Sequence, residues 1–130
     1  MFFWYSGKSA SVFIIEEAGS TLSTGTAITL LSSPSSVPIN PGIVVKCRAI
    51  GIAEMSDEEG EDNKVIAVPV DKVDPASSMI KTEADLPEYQ KNKLKHFFEH
   101  YKELEKGKFM KFHGFKGKEE ALKQIKGAKV

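Results

Sequence analysis

A single cysteine, Cys47, is all that the sequence contains, so no internal disulfide can form and a reducing, cytoplasmic setting is expected. An excess of either charge is also missing: Lys plus Arg and Asp plus Glu each total 18, for a net charge of zero. No global field draws in nucleic acid or an anionic membrane, and any electrostatic role has to be local. Long apolar runs are absent as well. Nothing comes near the roughly 18 apolar residues of a membrane-crossing helix. The apolar start, Met1-Phe2-Phe3-Trp4-Tyr5, lacks a basic flank and is interrupted by Ser6, Gly7, Lys8 and Ser9, which argues against a signal peptide. Charge is scarce across residues 1–40, where only Lys8, Glu16 and Glu17 carry any.

What is present fits one domain of 130 residues, with its 41% hydrophobic content gathered into periodic runs rather than scattered. Residues 1–40 form an atypical zone with a Ser/Thr-rich tract from Gly19 to Ser36. Phe13-Ile14-Ile15 and Ala27-Ile28-Thr29-Leu30-Leu31 read there as short strands of weakly specified register. From Pro41-Gly42, a turn, the pattern sharpens. Residues 43–52 and 65–70 read as strands on either side of an acidic, Gly-containing loop, Glu54-Met55-Ser56-Asp57-Glu58-Glu59-Gly60-Glu61-Asp62-Asn63-Lys64. Beyond the connection Asp74-Pro75-Ala76-Ser77-Ser78, Pro87 suits a first helical turn with Asp85 as its cap. Leu94, Phe97, Phe98, Tyr101 and Leu104 then recur at helical spacing, predicting an amphipathic helix of about five turns that stops at Gly107. Lys108 to Phe115 reads as a strand, and Lys118 to Lys126 as a short helix with Leu122 and Ile125 inward.

Asp57 and Asp62, across a turn containing Gly60, suit Mg²⁺, which is usually held by one or two carboxylates together with substrate phosphate. An EF-hand is excluded, because its glycine is sixth in the loop and Gly60 is fourth counting from Asp57. The plainer reading is a solvated hairpin turn, where acids and glycine collect. Lys64 and Lys102 are cations able to meet phosphate oxygens, and the Tyr101 hydroxyl can donate to one. Taken singly, Tyr101 reads as a core residue with its hydroxyl at the surface, and Lys102 as solvated. His96 and His100 have metal-compatible spacing but no third ligand, which disfavours zinc. Gly7-Lys8-Ser9 mimics the end of a phosphate-binding loop, yet Phe2 stands where that loop needs a glycine. Lys106, Lys108, Lys111, Lys116 and Lys118 interleave with Phe109, Phe112 and Phe115. That pattern suits single-stranded nucleic acid, although a half-buried strand with a lysine rim accords better with zero net charge.

Three segments carry a resemblance. Pro41-Gly42-Ile43-Val44-Val45-Lys46-Cys47-Arg48-Ala49-Ile50-Gly51, then Met55 through Pro69, then His96-Phe97-Phe98-Glu99-His100-Tyr101-Lys102-Glu103-Leu104-Glu105-Lys106-Gly107-Lys108 together resemble the soluble, magnesium-dependent inorganic pyrophosphatases. The resemblance runs over about residues 38–126, in order. It implies a mainly β fold with α-helices: a partial, OB-like five-stranded barrel flanked by a long helix and a short terminal one. It further implies hydrolysis of inorganic diphosphate with Mg²⁺ as cofactor, and a homo-oligomer. By that resemblance Asp57 and Asp62 are metal ligands, Glu58 is a nearby supporting carboxylate, and Lys64, Tyr101 and Lys102 bind substrate.

The departure from the family pattern lies upstream. An Asp-x-Asp-Pro-x-Asp segment, which provides central metal ligands and orients the nucleophile, should fall over Gly25-Thr26-Ala27-Ile28-Thr29-Leu30, and none of these is acidic. The lysine, glutamate, arginine and tyrosines that the family places further upstream also lack counterparts. Little or no hydrolysis by this polypeptide alone is therefore expected, and no catalytic residue can be named. The compositional break near residue 40 suggests a truncated or frame-shifted gene product, or a mispredicted exon. Two other functions fit the residues: a non-catalytic remnant acting by association with full-length subunits, and an OB-like module for single-stranded nucleic acid.

Overall fold

The β-branched residues that follow residue 43 grow into the longest strand of the protein, and the rest of the sheet is arranged around it. A computed structural model describes residues 2–6, 12–15, 20–21, 27–32 and 44–127, with side chains from Lys46 onward. The strands are β1 (Phe2–Ser6), β2 (Val12–Ile15), β3 (Ser20–Thr21), β4 (Ala27–Ser32), β5 (Val44–Asp57), β6 (Gly60–Glu61), β7 (Lys64–Pro69) and β8 (Met110–Gly117), and the helices are α1 (Glu88–His100) and α2 (Lys118–Gly127). Among the described residues the sheet follows the path β1-β4-β7-β5-β2-β3, with β6 and β8 both paired to β5.

The expected sheet-rich fold with two helices is observed, as an open path among the described residues. The short strands read at Phe13 to Ile15 and at Ala27 to Leu31 are present as β2 and β4, joined by β1 and β3, which the sequence pattern did not mark. The Pro41-Gly42 turn and the Gly7-Lys8-Ser9 segment lie outside the described residues.

Every residue of β7 is buried, because both faces of this inner strand are covered. Ile66 and Val68 face a cluster that includes Ile50, Ala53, Met55, Leu86, Leu94, Phe98 and Met110, while α2 lies against β5 and β7. Strict alternation would put Ile50 and Ala53 on opposite faces. A bulge between Ala49 and Gly51 absorbs one residue and returns both to the core. Gly51 is required there, since a Cβ would sit 2.8 Å from both the Lys116 carbonyl oxygen and the Glu83 Cβ.

Arg48 fastens the connection that follows β7. Only 8% exposed, its guanidinium donates to Asp71 Oδ1 (3.1 Å), to the Ser77 carbonyl (3.0 Å) and to the Ile80 carbonyl (2.8 Å). Arg48→Ala strands two carbonyls at once and is expected to cost about 2–4 kcal/mol, read as a lowered midpoint in urea unfolding. Arg48→Lys recovers little of that, because an ammonium cannot span the fork.

The helices differ from the sequence reading at their ends. Asp85 does not cap α1. Its Oδ2 accepts from the backbone N–H groups of Lys81 and Thr82, each at 2.9 Å, closing a 3₁₀ turn over Glu83–Asp85. Pro87 then takes the N-cap position of α1, one place before the helix proper. At the other end the helix stops after His100, well short of Gly107. Tighter turns replace it, with Glu103 N–H donating to the His100 carbonyl at 3.1 Å and Glu105 N–H to the Lys102 carbonyl at 2.9 Å. The reason is apolar content: beyond Tyr101 the only candidate anchor is Leu104, and it is 95% exposed. In α2 the buried residues are Ala121 and Ile125, with Leu122 half-buried.

Candidate functional site

β5 runs on as strand to Asp57, so most of the first half of the acidic loop is sheet rather than turn. Only Glu58 and Glu59 form the tip before β6 begins at Gly60, whose φ of +122° suits a residue without a Cβ. Asp57 closes the tip by accepting the Glu59 N–H on Oδ1 at 2.9 Å. Asn63, which composition alone did not single out, ties the two arms: its Oδ1 accepts the Met55 N–H at 3.1 Å while its amide donates to Glu61 Oε1 at 2.6 Å. The Asp62 N–H donates to the Met55 carbonyl at 2.9 Å. These bonds fix where Asp57 and Asp62 stand.

Each of the two aspartates meets a lysine. Lys64, at the start of β7 and only 2% exposed, pairs with Asp62 Oδ1. Lys102, just beyond the end of α1, donates from Nζ to Asp57 Oδ2 at 2.9 Å, with the two side chains 15% and 11% exposed. The Lys102 hydrogen bond, followed by the Glu59 N–H, holds the Asp57 carboxyl below its ordinary range. For Lys102, burial is the largest single influence and acts to lower its pKa. The hydrogen bond to Asp57 and the charges of Asp57, Glu58 and Asp62 outweigh burial, so the ammonium is shifted upward. Both groups are charged at neutral pH. The pairs share one electrostatic environment, since Asp57 also feels Lys64.

Tyr101 is the C-cap residue of α1. Its ring stacks on Phe97 at 5.4 Å and meets Phe98 edge-on at 6.1 Å, and Lys102 Nζ lies 5.7 Å from its centroid. It is half-buried against the core, with its hydroxyl oxygen buried rather than at the surface as the sequence suggested, and the turn after His100 lets Lys102 leave the helix direction toward Asp57. Glu58 sits at the tip beside Phe109, whose N–H approaches its Oε2 at 3.5 Å. All six residues picked out by sequence thus lie around one hairpin and the end of one helix.

His96 and His100 stack at 4.2 Å, and His100 Nδ1 engages the His96 carbonyl at 2.7 Å. Among the described residues no group of three or more His, Cys, Asp or Glu side chains is placed to hold a metal ion.

Comparison with known proteins matches residues 28–129 to the family model for inorganic pyrophosphatase. The chain belongs to the inorganic pyrophosphatase family. An inorganic pyrophosphatase from Thermoplasma volcanium is 77% identical over 96 residues, covering 74% of this chain and 57% of that one. The solved inorganic pyrophosphatase of Helicobacter pylori superposes with a TM-score of 0.74 at 44% identity, over 79% of this chain and 59% of that one. That of Thermus thermophilus gives a TM-score of 0.75 at 31% identity, over 97% of this chain and 66% of that one. The chain spans about half the length of the curated relatives it matches, 57%, 50% and 49% for the first three. In this pyrophosphatase-family chain the match includes the whole hairpin and α1, so both lysine–aspartate pairs fall inside it.

Of the segment over which the family's acidic motif was expected, Ala27 to Leu30 are described, and their near end adjoins this site. Ala27 is the backbone partner of Lys64 in the parallel β4–β7 pair, and Leu30 is that of Ala67.

Proposed function

We propose that this chain carries the hairpin-and-helix half of a diphosphate-hydrolysing site, with Mg²⁺ as cofactor and inorganic diphosphate as substrate. The observation that carries this reading is that Asp57–Lys102 and Asp62–Lys64 stand on the two arms of one hairpin, close enough for the charges of the two pairs to act on one another. Anionic oxygens suit a divalent cation, and ammonium groups suit phosphate.

The donor set fits Mg²⁺ in the way that ion usually binds. Two protein carboxylates are available, Asp57 and Asp62, with Glu58 adjacent, and the remaining positions are left to water and phosphate oxygens. When bound, Mg²⁺ lowers the pKa of a coordinated water and offsets phosphate charge. The chain's own residues do the rest: Lys64 and Lys102 neutralise phosphate oxygens, Tyr101 is the candidate donor to a third, and the backbone ties from Asn63 and Asp62 to Met55 hold the carboxylates in register. In hydrolysis a water oxygen bonds to one phosphorus, the bridging P–O bond breaks, and the second phosphate leaves. The residue that would take the water's proton has no candidate among these side chains.

The reading extends to a cytoplasmic setting and to homo-oligomeric assembly. No helix among the described residues is long and apolar enough to cross a membrane. The nucleic-acid alternative is not favoured, because Phe112 and Phe115 pack on the core and on each other at 5.0 Å, which withdraws them from stacking with bases.

Calorimetric titration of diphosphate, with and without Mg²⁺, tests the assignment. Wild-type protein is expected to bind diphosphate and to bind it more tightly with Mg²⁺, and Asp62→Asn is expected to lose most of that enhancement, about tenfold or more. An Asp62→Asn protein that binds as wild type does would refute the site.

A further inference from the structure

Both oxygens of the Asp57 carboxylate are engaged: Oδ1 accepts the Glu59 N–H at 2.9 Å and Oδ2 accepts Lys102 Nζ at 2.9 Å. The first of these bonds shapes the hairpin tip and is local. The second joins residues 45 positions apart and rests on a side chain from the turn beyond α1. Each oxygen keeps a second lone pair, but a divalent cation on Oδ2 would face the Lys102 ammonium at close range and be repelled by it, and giving up that ion pair leaves the hairpin intact.

We propose that Lys102 is a displaceable internal counter-ion: a divalent cation and the lysine compete for Asp57 Oδ2, and the displaced ammonium becomes the grip on diphosphate. This rests on the diphosphate-site reading above and adds a coupling to it. Metal binding and substrate binding reinforce each other through one side chain, beyond any direct metal–phosphate contact. The geometry favours Lys102 for this role over Lys64. Lys64 is 2% exposed at the start of an inner strand, whereas Lys102 lies outside regular helix with a side chain 15% exposed. When the ammonium moves, Glu58, whose charge it already feels, keeps it near the site. The coupling is reciprocal by thermodynamic necessity: diphosphate that captures Lys102 leaves Asp57 to the metal.

The test uses the full chain, with Mg²⁺ and inorganic diphosphate as probes. In wild-type protein, NMR of the lysine ammonium groups is expected to show a Lys102 signal slowed in exchange by its ion pair. Mg²⁺ alone should release it, and added diphosphate should slow it again. Lys102→Met is expected to bind Mg²⁺ about three- to tenfold more tightly and diphosphate about tenfold or more weakly. The factor by which Mg²⁺ tightens diphosphate should fall by about three- to tenfold. Lys102→Arg keeps the cation and should retain the coupling, while Lys111→Met, which removes an equal charge from β8, should alter neither affinity. A Lys102 signal unmoved by Mg²⁺ that demonstrably binds, or an undiminished coupling in Lys102→Met, overturns the counter-ion role and leaves the diphosphate site standing. Binding of neither probe to either protein removes the site and the counter-ion role together.

Discussion

Supplied with Mg²⁺ and diphosphate, this chain is expected to release phosphate about three orders of magnitude more slowly than a full-length relative, or more slowly still. The argument turns on what the described site contains and what its upstream neighbour does not. In the proposed site Asp57 and Asp62 would supply two carboxylates, enough for one weakly held Mg²⁺ shared with substrate. By family resemblance, the carboxylates that complete the metal cluster and orient the attacking water belong to the segment now reading Gly25-Thr26-Ala27-Ile28-Thr29-Leu30. Ala27 pairs by backbone with Lys64, so the chain brings a strand to that side of the site but brings no acid with it. On the proposed reading, binding and chemistry should therefore separate: diphosphate affinity is expected to survive in part, while the attacking water is expected to go unoriented. Steady-state phosphate release at saturating Mg²⁺, set beside calorimetric affinity, distinguishes the two. Turnover at a full-length relative's rate would show that the acidic motif is dispensable.

How far the site could be read from sequence depends on the kind of contact. The hairpin was legible, because Asp57, Gly60 and Asn63 are turn formers set between β-branched runs, and such signals act over a few residues. The Asp57–Lys102 pair was not legible from spacing, since it joins residues 45 apart through a helix end that propensity misplaced. Leu104 has the right period to extend α1, yet period states only which residues share a face. Whether anything lies opposite to cover that face is decided by the rest of the fold. The role of Arg48 is hidden in the sequence for a related reason. A lone arginine in an apolar strand looks like an edge residue, and its partners Ser77 and Ile80 supply carbonyls, which carry no side-chain signature. The extent of β5 was hidden in the same way: Glu54 to Asp57 read as loop by composition, but pairing with β8 keeps them in strand geometry. The family resemblance grouped the hairpin and helix-end residues that local pattern could not join, and the structure places them together.

Phe98→Ala is expected to cost about 3–5 kcal/mol, a large share of the roughly 5–15 kcal/mol that holds an ordinary domain folded. Phe98 is fully buried and inserts from α1 into the cluster with Ile50, Met55, Ile66 and Met110. It also meets Phe97 edge-on at 5.3 Å and Tyr101 at 6.1 Å, so its ring is the floor on which the helix end rests. Truncation should therefore reach the site. With Tyr101 unsupported, Lys102 loses its fixed starting point, and diphosphate affinity should fall even in the fraction that remains folded, while the Asp62–Lys64 pair stays in place. Leu104→Ala is the matched control, because both residues were predicted to share one helix face. At 95% exposure Leu104 should change stability by no more than about 0.5 kcal/mol. Urea unfolding of the two variants compares them directly, and comparable losses would mean that α1 continues toward Gly107 with Leu104 against the core.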